Sequence, residues 1–173
     1  MINAKELTTF LINLGLNHFT GVPDSLMSKL CWELVKQSEP VNSKVETKIV
    51  ANEGIAVANS IGYFLATGRP GVVFLQNAGL GNIYNPFVSL CSKGVFNIPI
   101  IFLIGWRGDP NTKDEPQHIF QGQITLKTLD ILAVPTLELN STDSIDYLID
   151  SNIIQESVAN KKSCAILFAS GAV

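Results

Sequence analysis

The sequence predicts an α/β protein, a three-layer αβα arrangement in which helices cover both faces of a mostly parallel sheet of about six strands. Apolar segments rich in branched residues alternate with segments of helical periodicity along the whole chain. The strand-like segments are apolar throughout, which is typical of strands buried on both faces. The length of 173 residues, 46% of them hydrophobic, suffices for one well-buried core, so we expect residues 1–173 to form a single domain.

Each element in the first half of the chain has a local sequence signal. Apolar residues three or four positions apart predict a first helix that ends at Gly15, and a short strand follows near residues 18–20. Asp24 or Ser25 is expected to cap the next helix. The remaining elements predicted in this half are a strand at 47–51, a helix at 53–67 that Gly68 ends, and a strand at 71–75.

The second half continues the alternation around one polar segment. Residues 105–117 contain two prolines and are predicted to form a long loop, which in a compact domain is usually functional or mobile. The elements predicted around this loop are a helical pattern within 77–92, a buried strand at 98–104, a helix at 121–132, a strand at 136–138, a helix at 141–160 capped by Ser141 or Thr142, and a final strand at 164–169.

Composition narrows the classes of function. A net charge of −3 without a basic run argues against nucleic acid and anionic membrane surfaces as partners. No apolar run approaches the roughly 20 residues of a membrane span. The first residues lack the apolar core of a signal peptide, so we expect a cytoplasmic protein. Cys31, Cys91 and Cys164 are odd in number and flanked by apolar residues, which predicts buried thiols.

Four polar segments follow predicted strands, namely residues 21–25, 52–53, 76–82 and 105–118. The carboxyl ends of parallel strands meet at one edge of a sheet, and ligands bind there. We therefore expect these four segments to converge on one functional site.

Two of these segments suggest specific chemistry. Glu53 stands at a strand-to-helix junction, where a carboxylate can be kept nearly dry while it faces a ligand, and this suits proton transfer. Residues 76–82 combine glycines with amide side chains, so their backbone could approach a ligand closely or could simply start a helix. The segment matches neither a Walker loop nor a dinucleotide fingerprint.

Residues 105–118 place two ionisable groups of different chemistry in one loop. His118 can exchange protons near neutral pH, and Arg107 can bind an anion or pair with a nearby carboxylate. His18, by contrast, lies inside a short strand and is predicted to be a core or edge residue.

The polar segments together resemble a known enzyme family. The similarity rests on Gly-Val-Pro-Asp-Ser at 21–25, Ala-Asn-Glu-Gly at 51–54, Gln-Asn-Ala-Gly-Leu-Gly-Asn at 76–82, Gly-Trp-Arg-Gly at 105–108, Asp-Glu-Pro-Gln-His at 114–118 and Gln-Gly at 121–122. These strings are similar to the pyrimidine-binding, N-terminal domain of thiamine-diphosphate-dependent decarboxylases, the phosphonopyruvate decarboxylases and the sulfopyruvate decarboxylase alpha subunits. The Asp-Glu-Pro-Gln-His and Val-Pro-Asp-Ser strings favour the phosphonopyruvate branch.

The resemblance implies the fold of that domain and a role for each matching residue. Glu53 is expected to hydrogen-bond the pyrimidine nitrogen N1′ of thiamine diphosphate and so to promote proton removal from the thiazolium ring. A small 2-oxo acid, phosphonopyruvate or sulfopyruvate, is the expected substrate. The implied site residues are Glu53, Asp24 and His118 for catalysis; Glu53, Gln76, Asn77, Gly79 and Asn82 for the cofactor; and Ser25, Arg107 and Gln121 for the substrate.

The resemblance also implies partners. In the family, a second domain with a Gly-Asp-Gly motif holds the diphosphate through Mg²⁺, and Gly108-Asp109-Pro110 does not reproduce that motif. We therefore expect an alpha subunit, or the N-terminal part of a longer protein, that works with a beta subunit or C-terminal domain. Self-association and an exposed apolar surface would follow. A non-catalytic scaffold and a flavodoxin-like nucleotide-binding module are the alternatives.

Overall fold

A computed structural model describes all residues, 1–173, and its centre is a six-stranded sheet in which every neighbouring pair of strands is parallel. The strand order is β2-β1-β3-β4-β6-β5. The strands are β1 (His18–Gly21), β2 (Glu46–Ile49), β3 (Gly71–Gln76), β4 (Ile100–Gly105), β5 (Thr136–Leu139) and β6 (Cys164–Phe168). The predicted fold class is confirmed.

Helices connect successive strands. They are α1 (Ala4–Asn13), α2 (Ser28–Ser38), α3 (Glu53–Thr67), α4 (Leu80–Pro86), α5 (Pro116–Ile131), α6 (Ile145–Asp150) and α7 (Ile153–Asn160). Two 3₁₀ turns, Ser25–Met27 and Asn77–Gly79, precede α2 and α4, and a π-helical turn, Phe87–Cys91, follows α4. None of the helices combines the length and the apolar character needed to cross a lipid bilayer.

The strand order reverses at β1 and thereby creates a crevice. The chain runs outward from β1 to the edge strand β2 and then returns to β3 on the other side of β1. Connections from β1 and β3 therefore leave the sheet in opposite directions, and a gap opens at the carboxyl ends of these two strands. Gly21 and Phe74 are register partners next to that gap.

The sheet separates two apolar layers. Val72 and Phe74 of β3 belong to the layer beneath α1 and α2. Val73 and Leu75 belong to the layer beneath α3 and α4. Because successive side chains of a strand point to opposite faces, both sets must be apolar, and this explains the continuously apolar strands in the sequence.

The polar segment after β4 is shorter than predicted. Helix α5 begins at Pro116, not near Gln121, so the loop between β4 and α5 spans residues 106–115. Proline is favoured at the first position of a helix because its fixed φ matches the helix and its missing N–H would be unpaired there anyway.

The single helix predicted at 141–160 is wrong, because two short helices occupy this region. Asn152 adopts a left-handed conformation, with φ of 55°, and separates α6 from α7. Ser144 caps α6 by accepting a hydrogen bond from the backbone N–H of Tyr147, and neither Ser141 nor Thr142 has this role. Asparagine tolerates the left-handed region better than most residues, which lets the chain bend there.

His18 is a core residue, as predicted. Its ring stacks on Tyr63 with the ring centroids 4.5 Å apart, and its Nδ1 lies 2.9 Å from a carboxylate oxygen of Glu46. Burial lowers the pKa of His18, against the opposing effect of the Glu46 carboxylate. His18 begins β1 and therefore lies at the edge of the sheet opposite the crevice.

The three cysteines are buried free thiols, in agreement with the prediction. Burial raises the pKa of Cys91 to about 12 and that of Cys164 to about 11. Burial also raises the pKa of Cys31. Thiols of this kind are inert as nucleophiles, because the thiolate is the reactive form.

Loop 106–115 is fastened to α5 by a close approach of two backbones. A Cβ atom on Gly122 would overlap the carbonyl group of Gly108, and one on Gly108 would overlap the carbonyl group of His118. The indole N–H of Trp106 donates a hydrogen bond to the carbonyl oxygen of Gly122, at 3.1 Å. These contacts fix where the loop runs relative to the start of the helix.

We expect Gly122→Ala to destabilise the chain and Gly62→Ala to stabilise it, although both glycines lie inside helices. The added methyl at position 122 meets backbone, and such overpacking costs about 1–3 kcal/mol. A Cβ at Gly62 meets nothing within 4 Å, so that variant gains the helix propensity of alanine, about 0.5–1 kcal/mol. Urea unfolding of both variants measures the difference, and equal midpoints would contradict the close approach.

Candidate functional site

The four polar segments meet at the carboxyl edge of the sheet. Asn82 contacts Glu53, which joins the segment after β3 to the segment after β2. Arg107 contacts Ser25, which joins the segment after β4 to the segment after β1. Asn77 joins the end of β3 to the loop after β4. The predicted convergence is therefore present as a hydrogen-bonded unit.

Glu53 is the first residue of α3 and is oriented by its neighbours. Asn52 caps the helix by accepting a hydrogen bond from the backbone N–H of Gly54, at 2.8 Å. The side-chain amide of Asn82 donates to Oε2 of Glu53 at 2.7 Å. A carboxylate at a helix N-terminus is also stabilised by the helix dipole.

Gly79 makes room for this carboxylate. A Cβ atom at position 79 would lie 2.6 Å from Cδ, Cγ and Oε1 of Glu53. The other carboxylate oxygen, Oε1, accepts no hydrogen bond within the chain, and the side chain is only partly buried. Glu53 is thus less dry than the sequence suggested, and it offers one oxygen to a donor outside the chain.

Asn77 is placed differently from the sequence prediction. Its side chain is fully buried, and its Nδ2 donates to the carbonyl oxygen of Arg107 at 2.8 Å and to Oγ1 of Thr125 at 2.9 Å. Its Oδ1 accepts from the backbone N–H of Arg107 at 3.1 Å. This side chain shapes the site from inside the protein instead of facing a ligand, whereas the neighbouring Gln76 is partly exposed at the end of β3.

Asp24 follows β1 and faces the inside of the site. It caps the 3₁₀ turn before α2, with Oδ2 accepting from the backbone N–H of Leu26 at 3.0 Å. A Cβ atom on Gly105 would overlap Asp24, so the glycine at the end of β4 allows the approach. Burial raises the pKa of Asp24, although the charges of Arg107 and His118 act to lower it. Such a carboxyl can hold a proton nearer to neutral pH than an exposed one.

Arg107 and His118 share one carboxylate, which the sequence analysis did not single out. Nη1 of Arg107 lies 3.3 Å from Oδ1 of Asp114, and Nδ1 of His118 lies 2.9 Å from the same oxygen. Nη2 of Arg107 donates to Oγ of Ser25 at 2.6 Å. The ion pair left open for Arg107 in the sequence is therefore present, and Arg107 also reaches across to the segment after β1.

Two further observations bear on cofactor and partner binding. No three His, Cys, Asp or Glu side chains cluster in a way that could hold a metal ion. Helices α3 and α4 and the π-helical turn after α4 pack together and expose several large apolar side chains, which often marks a contact surface. These side chains are Ile55, Leu65, Tyr84 and Val88.

Comparison with known families identifies the domain. Residues 3–131 match the family model described as thiamine pyrophosphate enzyme, N-terminal TPP binding domain. The chain belongs to this family. The match includes all four segments of the site, and as a TPP-binding domain the chain is not the flavodoxin-like module considered from the sequence.

Curated relatives of this TPP-binding domain carry two different names. A phosphonopyruvate decarboxylase of Streptomyces viridochromogenes is 38% identical over 131 residues, covering 76% of this chain and 31% of that protein. A phosphonopyruvate decarboxylase of Streptomyces hygroscopicus is 35% identical over 125 residues, covering 72% of this chain and 29% of that protein. A sulfopyruvate decarboxylase subunit alpha of Methanococcus maripaludis is 38% identical over 149 residues, covering 86% of this chain and 84% of that protein.

The extent of these matches differs. The TPP-binding domain spans about a third of the length of the two phosphonopyruvate decarboxylases, with 31% and 29% covered. It spans most of the alpha subunit from Methanococcus maripaludis.

We expect Asp24→Asn to gain stability relative to the wild type as pH rises. A carboxyl whose pKa is raised on folding contributes stability below its ordinary pKa of 3.8 and loses that contribution as pH rises through the folded value. Asparagine cannot ionise, yet it can still accept the hydrogen bond from Leu26. Urea unfolding of both proteins at a series of pH values between about 4 and 7 measures the effect. A difference in unfolding free energy that stays constant over this range would contradict the burial of an ionisable carboxyl.

Proposed function

We propose that this chain is the pyrimidine-binding part of a thiamine-diphosphate-dependent decarboxylase that converts phosphonopyruvate to phosphonoacetaldehyde and CO₂. The observation that carries the proposal is Glu53, whose Oε2 is held by Asn82 while Oε1 is left free. An oriented carboxyl group with one free oxygen can share a proton with a ring nitrogen of the cofactor, whose lone pair accepts it.

Glu53, Asn82 and Gly79 are the residues that would hold the pyrimidine ring. Glu53 would contact the ring nitrogen N1′, and Asn82 would keep the carboxylate turned toward it. Gly79 would keep the space behind the carboxylate open. When bound, thiamine diphosphate supplies the electron sink for decarboxylation, and the protein supplies orientation and proton transfer.

Asp24 and His118 are the proposed proton donors to the substrate. Decarboxylation of a 2-oxo acid to an aldehyde replaces a carboxylate by a proton at the carbonyl carbon. Asp24 is suited to deliver this proton because burial raises its pKa. His118 is suited because an imidazole nitrogen can pass a proton to the substrate and take up another. Either residue, or both in turn, would carry out this step.

Arg107, Ser25 and Gln121 are the proposed substrate contacts. The Arg107 guanidinium is partly exposed and donates a hydrogen bond to the hydroxyl group of Ser25. The guanidinium and the hydroxyl would therefore bind a phosphonate group together. Gln121 lies on the first turns of α5, and its side-chain amide reaches the carbonyl oxygen of Asn77 at 3.4 Å.

A second domain or subunit would complete the site. The diphosphate and Mg²⁺ would be held there, as the resemblance to the decarboxylase family implies. The apolar side chains exposed on α3 and α4 offer a surface for such a partner or for a second copy of the chain. At least two copies of each domain would form the working unit.

Sulfopyruvate decarboxylation is the second candidate function. The alignment with the Methanococcus maripaludis alpha subunit, which covers 84% of that protein, favours this candidate. Phosphonate and sulfonate are both tetrahedral anions, and Arg107 suits either of them.

The test is calorimetric titration of thiamine diphosphate and Mg²⁺ into the chain, alone and mixed with its diphosphate-binding partner. Release of CO₂ from phosphonopyruvate and from sulfopyruvate is assayed in parallel. Binding and decarboxylation only in the mixture would support the proposal. The substrate that is decarboxylated faster would show whether the protein is a phosphonopyruvate or a sulfopyruvate decarboxylase. Tight binding by the chain alone would contradict the need for a partner. A formed complex that turns over neither substrate would favour a scaffold.

We expect Glu53→Gln to lower decarboxylation by about 100-fold or more, because the amide keeps a hydrogen bond but cannot exchange the proton. Glu53→Ala should abolish turnover while the fold persists, since the side chain is only partly buried. Steady-state kinetics of the assembled enzyme and circular dichroism of the chain measure the two effects. Near-normal turnover of Glu53→Gln would disprove the proton-transfer role.

Gly79→Ala should weaken cofactor binding by about tenfold, equivalent to ~1.4 kcal/mol, because the methyl group displaces the Glu53 carboxylate. Gly81→Ala is the matched control, since a Cβ there meets nothing within 4 Å. Calorimetry on the assembled enzyme compares the dissociation constants. Equal affinities of the two variants would mean that Gly79 does not position Glu53 for the cofactor.

A further inference from the structure

Asp114 accepts hydrogen bonds from four groups around the site. Oδ1 is approached by Nδ1 of His118 at 2.9 Å and by Nη1 of Arg107 at 3.3 Å, and it accepts from the backbone N–H of Glu115 at 2.8 Å. Oδ2 accepts from the backbone N–H of Gly108 at 2.8 Å. The side chain is 12% exposed, so solvent contributes little to its hydrogen bonding.

The ionisation state of Asp114 determines what it can do. Desolvation acts to raise its pKa, but the hydrogen bonds from His118, Gly108 and Glu115 and the charge of Arg107 outweigh this effect and hold the pKa well below its ordinary value. An ionised carboxylate only accepts hydrogen bonds. The contact with His118 therefore requires the proton of the neutral imidazole to be on Nδ1, which leaves Nε2 as the nitrogen that takes up a proton and then passes it to the substrate.

The position of Asp114 is fixed by the backbone around it. It lies in loop 106–115, four residues before His118, and α5 begins two residues after it, at Pro116. The close approach of Gly108 to the start of α5 holds both ends of this loop in place. Asp114 thus joins the loop to the helix in one carboxylate.

The charges of His118 and Arg107 both act on Asp24. Both lie close enough to Asp24 for their charges to affect it, and Arg107 also donates to Ser25. The two residues that Asp114 binds are therefore charged groups that act on the buried carboxyl at the end of β1. An error in the orientation of either one would change the proton chemistry and the substrate contact together.

We propose that Asp114 is a positioning residue that fixes the Nδ1–H tautomer of His118 and the direction of Arg107, so that Nε2 of the imidazole serves the reaction. The catalytic consequence rests on the proposed function, but the tautomer does not. In this role Asp114 would contact neither substrate nor cofactor. Its effect reaches the reacting atoms through His118 and Arg107, as in other sites where a carboxylate orients a histidine.

Ring-nitrogen NMR of the ¹⁵N-labelled chain tests the tautomer directly, because the chain contains two histidines, His18 and His118. His118→Gln assigns the signals. We expect the wild type to show His118 with Nδ1 protonated in its neutral form. In Asp114→Asn the signal should shift toward the Nε2–H tautomer, which free imidazole side chains prefer. His18, which is bonded to Glu46, provides an internal reference that should not change.

Asp109→Asn is the matched control. Asp109 lies in the same loop, is buried, and accepts hydrogen bonds from the backbone N–H and side-chain amide of Asn111, at 3.0 and 3.2 Å, without contacting His118. This variant disturbs the loop but should leave the tautomer of His118 unchanged. An Nε2–H tautomer in the wild type, or an equal shift in both variants, overturns the proposal. The wild-type outcome decides even if Asp114→Asn fails to fold.

Kinetics of the assembled enzyme test the catalytic consequence. We expect Asp114→Asn to lower kcat by about 10- to 100-fold, the range known for carboxylates that orient metal-binding histidines, and Asp109→Asn to have a smaller effect. A changed tautomer with unchanged kcat overturns the catalytic part. If the wild-type assembly decarboxylates neither substrate, the proposed function fails, and the NMR result alone then supports or overturns the role of Asp114 toward His118.

Discussion

The carboxyl edge of the sheet depends on one buried amide. Asn77 uses both of its side-chain polar groups to bind the backbone of Arg107 and the hydroxyl group of Thr125, and so it joins β3, loop 106–115 and α5. A buried amide that lost these partners would keep the full cost of desolvation, about 1–3 kcal/mol for each unsatisfied group. Loop 106–115 is therefore held against α5, and this contact fixes the positions of the side chains in the loop, Arg107 and Asp114 among them.

Glycines serve the site in a way that the sequence does not reveal. The sequence suggested that glycines after β3 let the backbone approach a ligand, yet Gly79 makes room for the carboxylate of Glu53 and Gly105 makes room for that of Asp24. Each of these acidic side chains thus packs directly against the backbone of a glycine, in space that the Cβ atom of any other residue would occupy. A carboxylate in such a position has few alternative rotamers, and preorganisation of this kind lowers the cost of orienting a group for reaction.

Local patterns predicted the fold class, the bounds of α3 and the meeting of the four segments, because the alternation of strands with helices and the helix period can be read from the chain itself. The features that the sequence did not predict depend on contacts between residues far apart in the chain or on a single backbone conformation. The sequence could not show that the side chain of Asn77 is bonded to Thr125 of α5, so Asn77 was predicted to contact a ligand. It also could not show that Arg107 contacts Asp114, so Asp114 was treated as an ordinary loop carboxylate. The split of the predicted helix at 141–160 depends on one left-handed residue, Asn152, which periodicity cannot detect.

The hydrogen bond from the Trp106 indole to Gly122 gives the chain an intrinsic optical probe. Trp106 is 4% exposed and bonded to the backbone of α5, while the second tryptophan, Trp32, is 75% exposed beside the segment after β1. A buried indole emits at shorter wavelengths than one in water, so the two emission bands are separable. The fluorescence of one ring follows the contact between loop and helix, and that of the other follows the surroundings of the segment after β1, without any added label.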